Sequence, residues 1–319
     1  MGARHLGVGS NRWLIDSKHN HDAHRGTEVT EGGILISSSV TSVYLSAVFA
    51  ILLCTSASAQ NALRVTGATT VNPVVSEAAE TLRENEGITI TIDTAGGSTG
   101  GINALGDGSA DVGMSSRGIN DKDRGKFAGV DFHPVPIGKD AVSIVVSKDV
   151  WDGGVKALSA EQIRGIYAGD IKNWKEVGGP DLRIVFLNRE PGRGEWEVFT
   201  KFLYPDKKKA PRTNHPMVGS NEETRNKTGG TRGAVTFLST PWADGQTVFA
   251  LGIRNEKGEI IDATGPNIAN GTYPMSRSLY VITNGEPSGP AKVLIDYLLS
   301  DAGQALVAKH GYLRLSDLE

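Results

Sequence analysis

The sequence predicts an α/β fold of two lobes, with mostly parallel strands and a cleft between the lobes. Two observations carry this. Short runs rich in Val, Ile and Thr, such as ITITIDT (88–94) and AVSIVVS (141–147), alternate with helical stretches such as SEAAETLREN (76–85), the pattern of crossover units on a parallel sheet. The joints between them are rich in glycine and hydroxyls: GATTVNP (67–73), AGGSTGG (95–101) and MSSRGI (114–119). In open α/β sheets, ligands bind where strands end and loops open into helices.

The composition sets the frame. The 319 residues are 39% hydrophobic, include 40 glycines and carry a formal net charge of −3. That suits one or two soluble domains with real cores and excludes disordered, collagen-like and nucleic-acid-coating chains. With a pI near 6.2 there is no general attraction to polyanions, so an anion has to be met by a local site.

The opening section reads as a leader. Residues 32–63 carry no charged side chain, and VTSVYLSAVFAILLC (40–54) is a compact apolar run followed by TSASAQ. Ala57 and Ala59 are the small residues that signal processing accepts, so cleavage is expected after Ala59. The alternative is an uncleaved anchor, which the Ser and Thr content weakens. About forty polar residues precede the apolar run where a short basic segment is expected. A start codon near Val29 or Val40 would account for them and would place residues 1–28 outside the functional protein. Residues 1–59 hold four of each charge, leaving 29 basic against 32 acidic side chains. They also hold Cys54, the one cysteine, and four of the seven histidines. His133, His215 and His310 are then too scattered for a metal centre.

Along the remaining chain, LRVTG (63–67) is a strand, GATTVNPVV runs into a helix, and ITITIDT is a second strand. A helix is expected from about 101 to 105, then a buried strand ADVGMSS (110–116) and a charged helix start, INDKDRGKF (119–127). FHPVPIG (132–138) and AVSIVVS read as two further strands. The next section starts near Val150. LSAEQIRGIYAG (158–169) has a capping Ser159, apolar Ile163 and Ile166 at helical spacing, and a closing Gly169. DIKNWKEVGG (170–179) is a loop with Trp174 packed inward, LRIVFLNRE (182–190) a strand and EWEVFTKFLY (195–204) an amphipathic helix. PDKKKAPRTNHP (205–216) is a solvated surface stretch. GAVTFLS (233–239) and TVFALGI (247–253) are strands. Residues 258–283 are a long loop ending in a strand, and two helices close the chain over 287–300 and 301–311. The expected organisation is an extension and leader (1–59), the first segment of one lobe (60–143), a second lobe (144–250), and a return to the first (251–319).

Three loops carry candidate chemistry. AGGSTGG is either a tight turn or an anion cradle, in which helix N-terminal N–H groups approach a ligand and Ser98 and Thr99 add hydroxyls. It lacks the ending of a P-loop and the spacing of a dinucleotide motif. MSSRGI supplies Ser115, Ser116 and Arg117, although by itself the loop reads more simply with Arg117 starting a surface helix. NREPGRGEWEVF (188–199) supplies Arg189, able to grip an oxyanion in a planar fork, and Gly192 and Gly194 ahead of a helix. The competing reading pairs Arg189 with Glu190, Glu195 or Glu197.

GATTVNPVVSEAAE, the strand–AGGSTGG–helix unit, ADVGMSSR, AEQIRGIYAGDIKNW, NREPGRG and LSDAGQALVAKHGY follow one another in order. Together they resemble the phosphate-binding proteins of ABC transporters, the PstS-like group, over essentially everything from residue 62 onward. The resemblance implies a type II-like periplasmic-binding-protein fold: two α/β lobes joined by two crossover strands and closing on dehydrated phosphate. It implies a monomeric periplasmic trap without cofactor, metal or catalytic residues, no nucleic-acid partner, and delivery to a membrane permease. The family's first ligand loop matches Ala68, Thr69 and Thr70; its second matches Ser98, with Thr99 and Gly100 beside it. A third contact, acidic in many members, falls on Ser116, and the family's essential arginine on Arg189. The Gly-Ser-Gly-Thr that follows becomes Gly192, Arg193, Gly194 and Glu195. An acceptor lets such a site tell protonated phosphate from sulfate. Glu195 either restores that acceptor or is a first-turn acid facing solvent, and the second reading is slightly preferred. Sulfate or molybdate stays open as the ligand. An anion-sensing module or a phosphatase is the more distant alternative, the latter weakened because no base sits beside Ser98 or Ser116 in sequence.

Overall fold

The computed structural model describes residues 62–206 and 209–319; the apolar run, Ala59 and Cys54 lie outside them. The chain opens with β1 (Ala62–Gly67), α1 (Asn72–Glu86), β2 (Thr89–Asp93), α2 (Gly97–Gly106), β3 (Val112–Ser115) and α3 (Asp121–Lys126). β2 and β3 both pair with β1 in parallel, through Val65–Ile92 and Val65–Val112 among others. α1 carries Pro73 in its first turn, which its fixed φ suits. It buries Val74, Val75, Ala78 and Leu82 on one face and stops at Gly87 in the left-handed conformation. α2 starts inside the glycine-rich stretch, earlier than its apolar residues suggest, and lies close on β1. A Cβ on Gly101 would stand 2.5 Å from the Thr66 carbonyl oxygen, so this approach requires glycine.

β4 (Phe132–Ser147) is one strand of 16 residues, not the two short strands expected. Gly138 and Lys139 do not break it: both stay paired with β12, and Lys139 also exchanges both backbone hydrogen bonds with Leu313 at 2.9 Å. Beyond it come α4 (Lys148–Asp152), β5 (Ala157–Ser159), α5 (Ala160–Ala168), β6 (Val185–Phe186), β7 (Asn188–Arg189), α6 (Gly194–Leu203), β8 (Met217–Val218) and α7 (Asn221–Gly229). β9 (Ala234–Ser239), β10 (Val248–Arg254), β11 (Ile260–Ile261) and α8 (Gly265–Ala269) follow. β12 (Ser276–Asn284), α9 (Gly289–Leu299) and α10 (Asp301–Lys309) end the chain. α5 has the capping box expected of Ser159 and Gln162. The stretch read as one strand over 182–190 divides, since β6 pairs with β9 while β7 pairs with β8.

The sheet is mixed. β1, β2 and β3 are parallel, but every partner of β4 is antiparallel: β12 along its first ten residues, β9 and β10 along its last six. The expectation of mostly parallel strands therefore holds around β1 and for the short pairs β5–β10, β6–β9 and β7–β8, and fails along β4 and β12. The change of partner along β4 divides the fold into two lobes, each with its own core. One core gathers Leu63, Val65, Val112, Met114, Val281, Leu294 and Leu298. The other gathers Ile144, Ile163, Trp174, Phe199, Phe237 and Leu251. Each wholly buried aliphatic side chain contributes roughly 1.5–3 kcal/mol, so each lobe is held mainly from within. Trp174 is buried as expected and donates its indole N–H to the Gly233 carbonyl at 3.0 Å.

Residues 251–275 do not return to the first lobe as expected. Leu251, Ile253, Ile268, Tyr273 and Met275 all pack in the second core, because β10 pairs with the far half of β4. The return falls at β12, where Arg277 pairs with Asp140 in the ladder. Two antiparallel strands, β4 and β12, thus form the passage between the lobes. Phe199 of α6 stacks on Phe237 of β9 at 3.9 Å, which anchors α6 in the second lobe.

Candidate functional site

First-turn residues of four helices meet between the lobes. Thr70 lies just ahead of α1, Ser98 in the first turn of α2, Gly194 and Glu195 in that of α6, and Asn221 in that of α7. Each helix brings unpaired N–H groups and a partial positive charge. Four such termini around one point make a strongly anion-seeking environment.

The fit between α6 and the first lobe depends on Gly194. A Cβ there would stand 2.2 Å from Ser116 Oγ and 2.9 Å from Ser98 Oγ. Ser98 Oγ accepts from the Ser116 N–H at 3.0 Å and lies 3.2 Å from Ser116 Oγ. Thr99 donates its N–H to the Gly192 carbonyl at 3.0 Å, a backbone bond between the lobes.

Two arginines and two carboxylates form the floor. Arg189, fully buried, donates from Nη1 to Asn221 Oδ1 at 3.1 Å and from Nη2 to the Gly219 carbonyl at 2.9 Å. Its Nε–H has no hydrogen-bond acceptor among the described residues. Arg277 grips Asp140 Oδ2 with Nε at 3.0 Å and Nη2 at 2.7 Å. The same Nη2 reaches Glu195 Oε1 at 2.8 Å, and Nη1 donates to Ser116 Oγ at 2.9 Å. Glu195 Oε1 also accepts from the Thr70 hydroxyl at 2.6 Å, and its Oε2 lies 3.6 Å from Arg189 Nη2. Since Thr70 gives its proton to Glu195, its oxygen accepts from Asn221 Nδ2 at 3.1 Å and Arg277 Nη2 at 3.2 Å.

Glu195 is 2% exposed, so the solvent-facing reading is overturned; of the pairings considered for Arg189, the one with Glu195 forms. Burial pushes the Glu195 carboxyl up, but Arg277, Arg189 and the Thr70 hydroxyl outweigh it and hold it well below the usual carboxylate range. Burial also pulls the Arg189 guanidinium down to about 10, against the pull of Glu195. For Asp140 burial dominates, and its carboxyl stands above the ordinary value despite Arg277.

The other candidates surround this floor. Arg117 donates from Nη1 to Asp123 Oδ2 at 2.6 Å and from Nη2 to Thr99 Oγ1 at 3.1 Å; its Nε lies 3.2 Å from Glu197 Oε1 on α6. It is a link between lobes and does not start a surface helix; α3 begins instead on the capping box of Asn120 and Asp123. The Arg193 side chain passes over Gly97 and donates from Nε and Nη2 to Glu190 Oε2 at 3.1 and 2.8 Å, while its Nη1 has no acceptor among the described residues. Ser115 is turned to its own loop, donating to the Arg117 carbonyl at 2.7 Å. Ala68 gives its N–H to the Met114 carbonyl, and Thr69 is half-buried beside it. Asp140, Asn221 and Arg277 were not foreseen. For Asp140 and Arg277 the one signal was a charge set at the head of an apolar run, DAVSIVVS and RSLYVIT; Asn221 gave none.

A closed, two-lobed cleft floored by arginines and rimmed by helix N-termini defines a solute-binding module for a small anion. The PBP superfamily domain matches residues 55–302, and the chain belongs to that superfamily. It is 30% identical over 267 residues to the phosphate-binding protein PstS of Bacillus subtilis, covering 82% of this chain and 83% of that protein. To PstS of Borreliella burgdorferi it is 25% identical, over 82% and 92%. Among solved structures it resembles a putative phosphate ABC transporter substrate-binding protein with bound phosphate from Clostridium perfringens. There the TM-score is 0.70 at 30% identity, over 80% of this chain and all of that one. An ABC-type phosphate transport receptor from Vibrio cholerae gives 0.63 at 28%, over 79% and 99%.

Proposed function

We infer that this protein is an exported, non-catalytic binding protein that captures inorganic phosphate between its lobes and presents it to the permease of an ABC transporter. The observation that carries the reading is Arg189: fully buried, charged, and with its Nε–H lacking an acceptor among the described residues. A buried charged donor left unsatisfied is costly, and a ligand oxyanion is the kind of group that satisfies it. Thr70, Ser98 and Ser116 add short donors around it, as a tetrahedral ligand requires. The similarity to PstS proteins and to a phosphate-bound substrate-binding protein supports phosphate over other anions. On this reading Thr70, Ser98, Ser116 and Arg189 touch the ligand, while Arg117 and Arg193 hold the loops.

Catalysis finds no support in the arrangement of the serines. Ser116 Oγ accepts from Arg277, and Ser98 Oγ accepts from a backbone N–H; among the described residues no hydrogen bond joins either hydroxyl to a base that could make it a nucleophile. The export part rests on the sequence of residues 1–59.

Calorimetric titration of the purified protein with phosphate, sulfate and molybdate tests the reading. Tight one-to-one phosphate binding with sulfate silent is expected, together with no release of phosphate from an aryl phosphate ester. Preference for another anion, or ester turnover, would overturn it.

A further inference from the structure

We propose that the Glu195 carboxylate is a tethered occupant of the anion seat, so that capturing a free oxyanion is an exchange in which this carboxylate is displaced. The inference rests on the anion-binding reading above and adds a residue that sets which anions can enter.

The geometry is that of a bound ligand. Oε1 takes the Thr70 hydroxyl and Arg277 Nη2, and Oε2 faces Arg189 Nη2. These donors come from the α1 loop, from β12 and from β7, and from both lobes. Glu195 itself belongs to α6, which packs on the second core through Phe199, so its contact with Thr70 ties the lobes together as a bridging anion would. Carboxylates and phosphates satisfy arginine forks in the same way.

Charge then decides what can replace it. The groups facing Glu195 are Arg277 on β12, Arg189 on β7 and, behind Arg277, Asp140 on β4; Arg193 is engaged with Glu190. Two cations and two carboxylates already balance. A dianion added to this set would leave buried negative charge uncompensated, which low-dielectric surroundings punish. With Glu195 turned out, the same dianion meets a net positive floor. A monovalent planar anion brings no more than Glu195 already supplies and has no tethering advantage. On charge alone the seat therefore admits a dianion and is closed to acetate-like anions, while the choice of phosphate over sulfate falls to a hydroxyl such as that of Ser116, whose oxygen can accept the phosphate proton. Glu195 stands in the first turn of a helix end with a flexible side chain, so leaving the seat does not require α6 to unfold.

Melting curves and calorimetry on the full-length wild type, Glu195→Ala and Glu195→Gln test this with two probes, sodium acetate and inorganic phosphate. In phosphate-free buffer both variants should melt below the wild type. Acetate should raise the melting temperature of Glu195→Ala and leave that of the wild type unmoved, since only the variant lacks its own carboxylate. Phosphate should bind Glu195→Gln about tenfold or more tightly than the wild type, because the charged competitor is gone. An equal acetate response in Glu195→Ala and wild type overturns the proposal, as does weaker phosphate binding by Glu195→Gln, which would make Glu195 a ligand contact. Should Glu195→Ala not fold, Glu195→Gln decides alone: tighter phosphate binding supports the exchange, and equal or weaker binding overturns it. Absence of phosphate binding throughout, with acetate still stabilising Glu195→Ala, would sink the phosphate reading and leave the exchange standing.

Discussion

Arg277 and Asp140 face each other across β12 and β4 at the level where the chain passes between its two cores, with Nη2 and Oδ2 2.7 Å apart. Both are almost wholly buried. The pair sits beneath the anion seat and at the joint between the lobes at once. Removing Arg277 leaves Asp140 and Glu195 buried without their shared cation. Arg277→Met should therefore destabilise the protein by about 3–5 kcal/mol, read as a fall in the denaturant midpoint. Because Glu195 shares that cation, adding Glu195→Gln should recover part of the loss; full additivity of the two changes would refute the coupling.

Acid should act through Glu195 with a defined sign. Its carboxyl titrates below the ordinary range in the folded protein. The stability it contributes is thus fully present above the unfolded-state value of about 4.3 and is lost as pH falls through the folded one. Denaturant midpoints measured from pH 7 to pH 3 should fall more steeply below about pH 4.3 in the wild type than in Glu195→Gln. Asp140, raised by burial, has the opposite sign, so its contribution weakens as pH climbs through its folded value.

Gly194→Ala should separate closure from folding. The added methyl meets Ser116 Oγ and Ser98 Oγ, which lie across the cleft, while each core stays intact. Phosphate affinity should drop by about tenfold or more, as overpacking costs typically 1–3 kcal/mol, with little change in melting temperature without phosphate. A large melting shift with unchanged affinity would place the clash elsewhere.

The Arg117–Glu197 contact ties the two lobes at the rim, with Glu197 about a quarter exposed. Glu197→Gln should speed phosphate dissociation by about two- to fivefold, the worth of an ion pair at the rim, with little effect on association. Stopped-flow displacement would show it, and unchanged dissociation would mean that the pair contributes nothing to closure.

The local part of this arrangement was legible in the sequence. Gly67, the 95–101 stretch and Gly194 announce close backbone approaches, and Thr70, Ser98 and Arg189 stand at strand–helix joints where ligand groups belong. What was hidden is everything fixed by pairing at long range. Arg277 lies 137 residues from Asp140, and nothing local says that the two are opposed. The same applies to Glu195. As a first-turn acid it reads as a helix-end charge, and only the approach of the first lobe makes it a buried partner of Thr70. α7 escaped notice because its sequence, NEETRNKTG, has almost no apolar face; it is held by its Ser220 cap and by Thr224 and Thr228 turned inward. β4 read as two strands because Gly138 looks like a stop until Leu279 of β12, far along the chain, supplies its ladder partner.

β4 runs on through the joint and β12 enters it at Ser276, so the two lobes hang on a pair of neighbouring strands. Arg277 and Asp140 stand on those strands, whereas Glu195, Gly194 and Arg189 belong to one lobe and Thr70, Ser98 and Ser116 to the other. The placement of the first pair is therefore set by the strand ladder itself, while the placement of the others relative to one another depends on how the lobes fit.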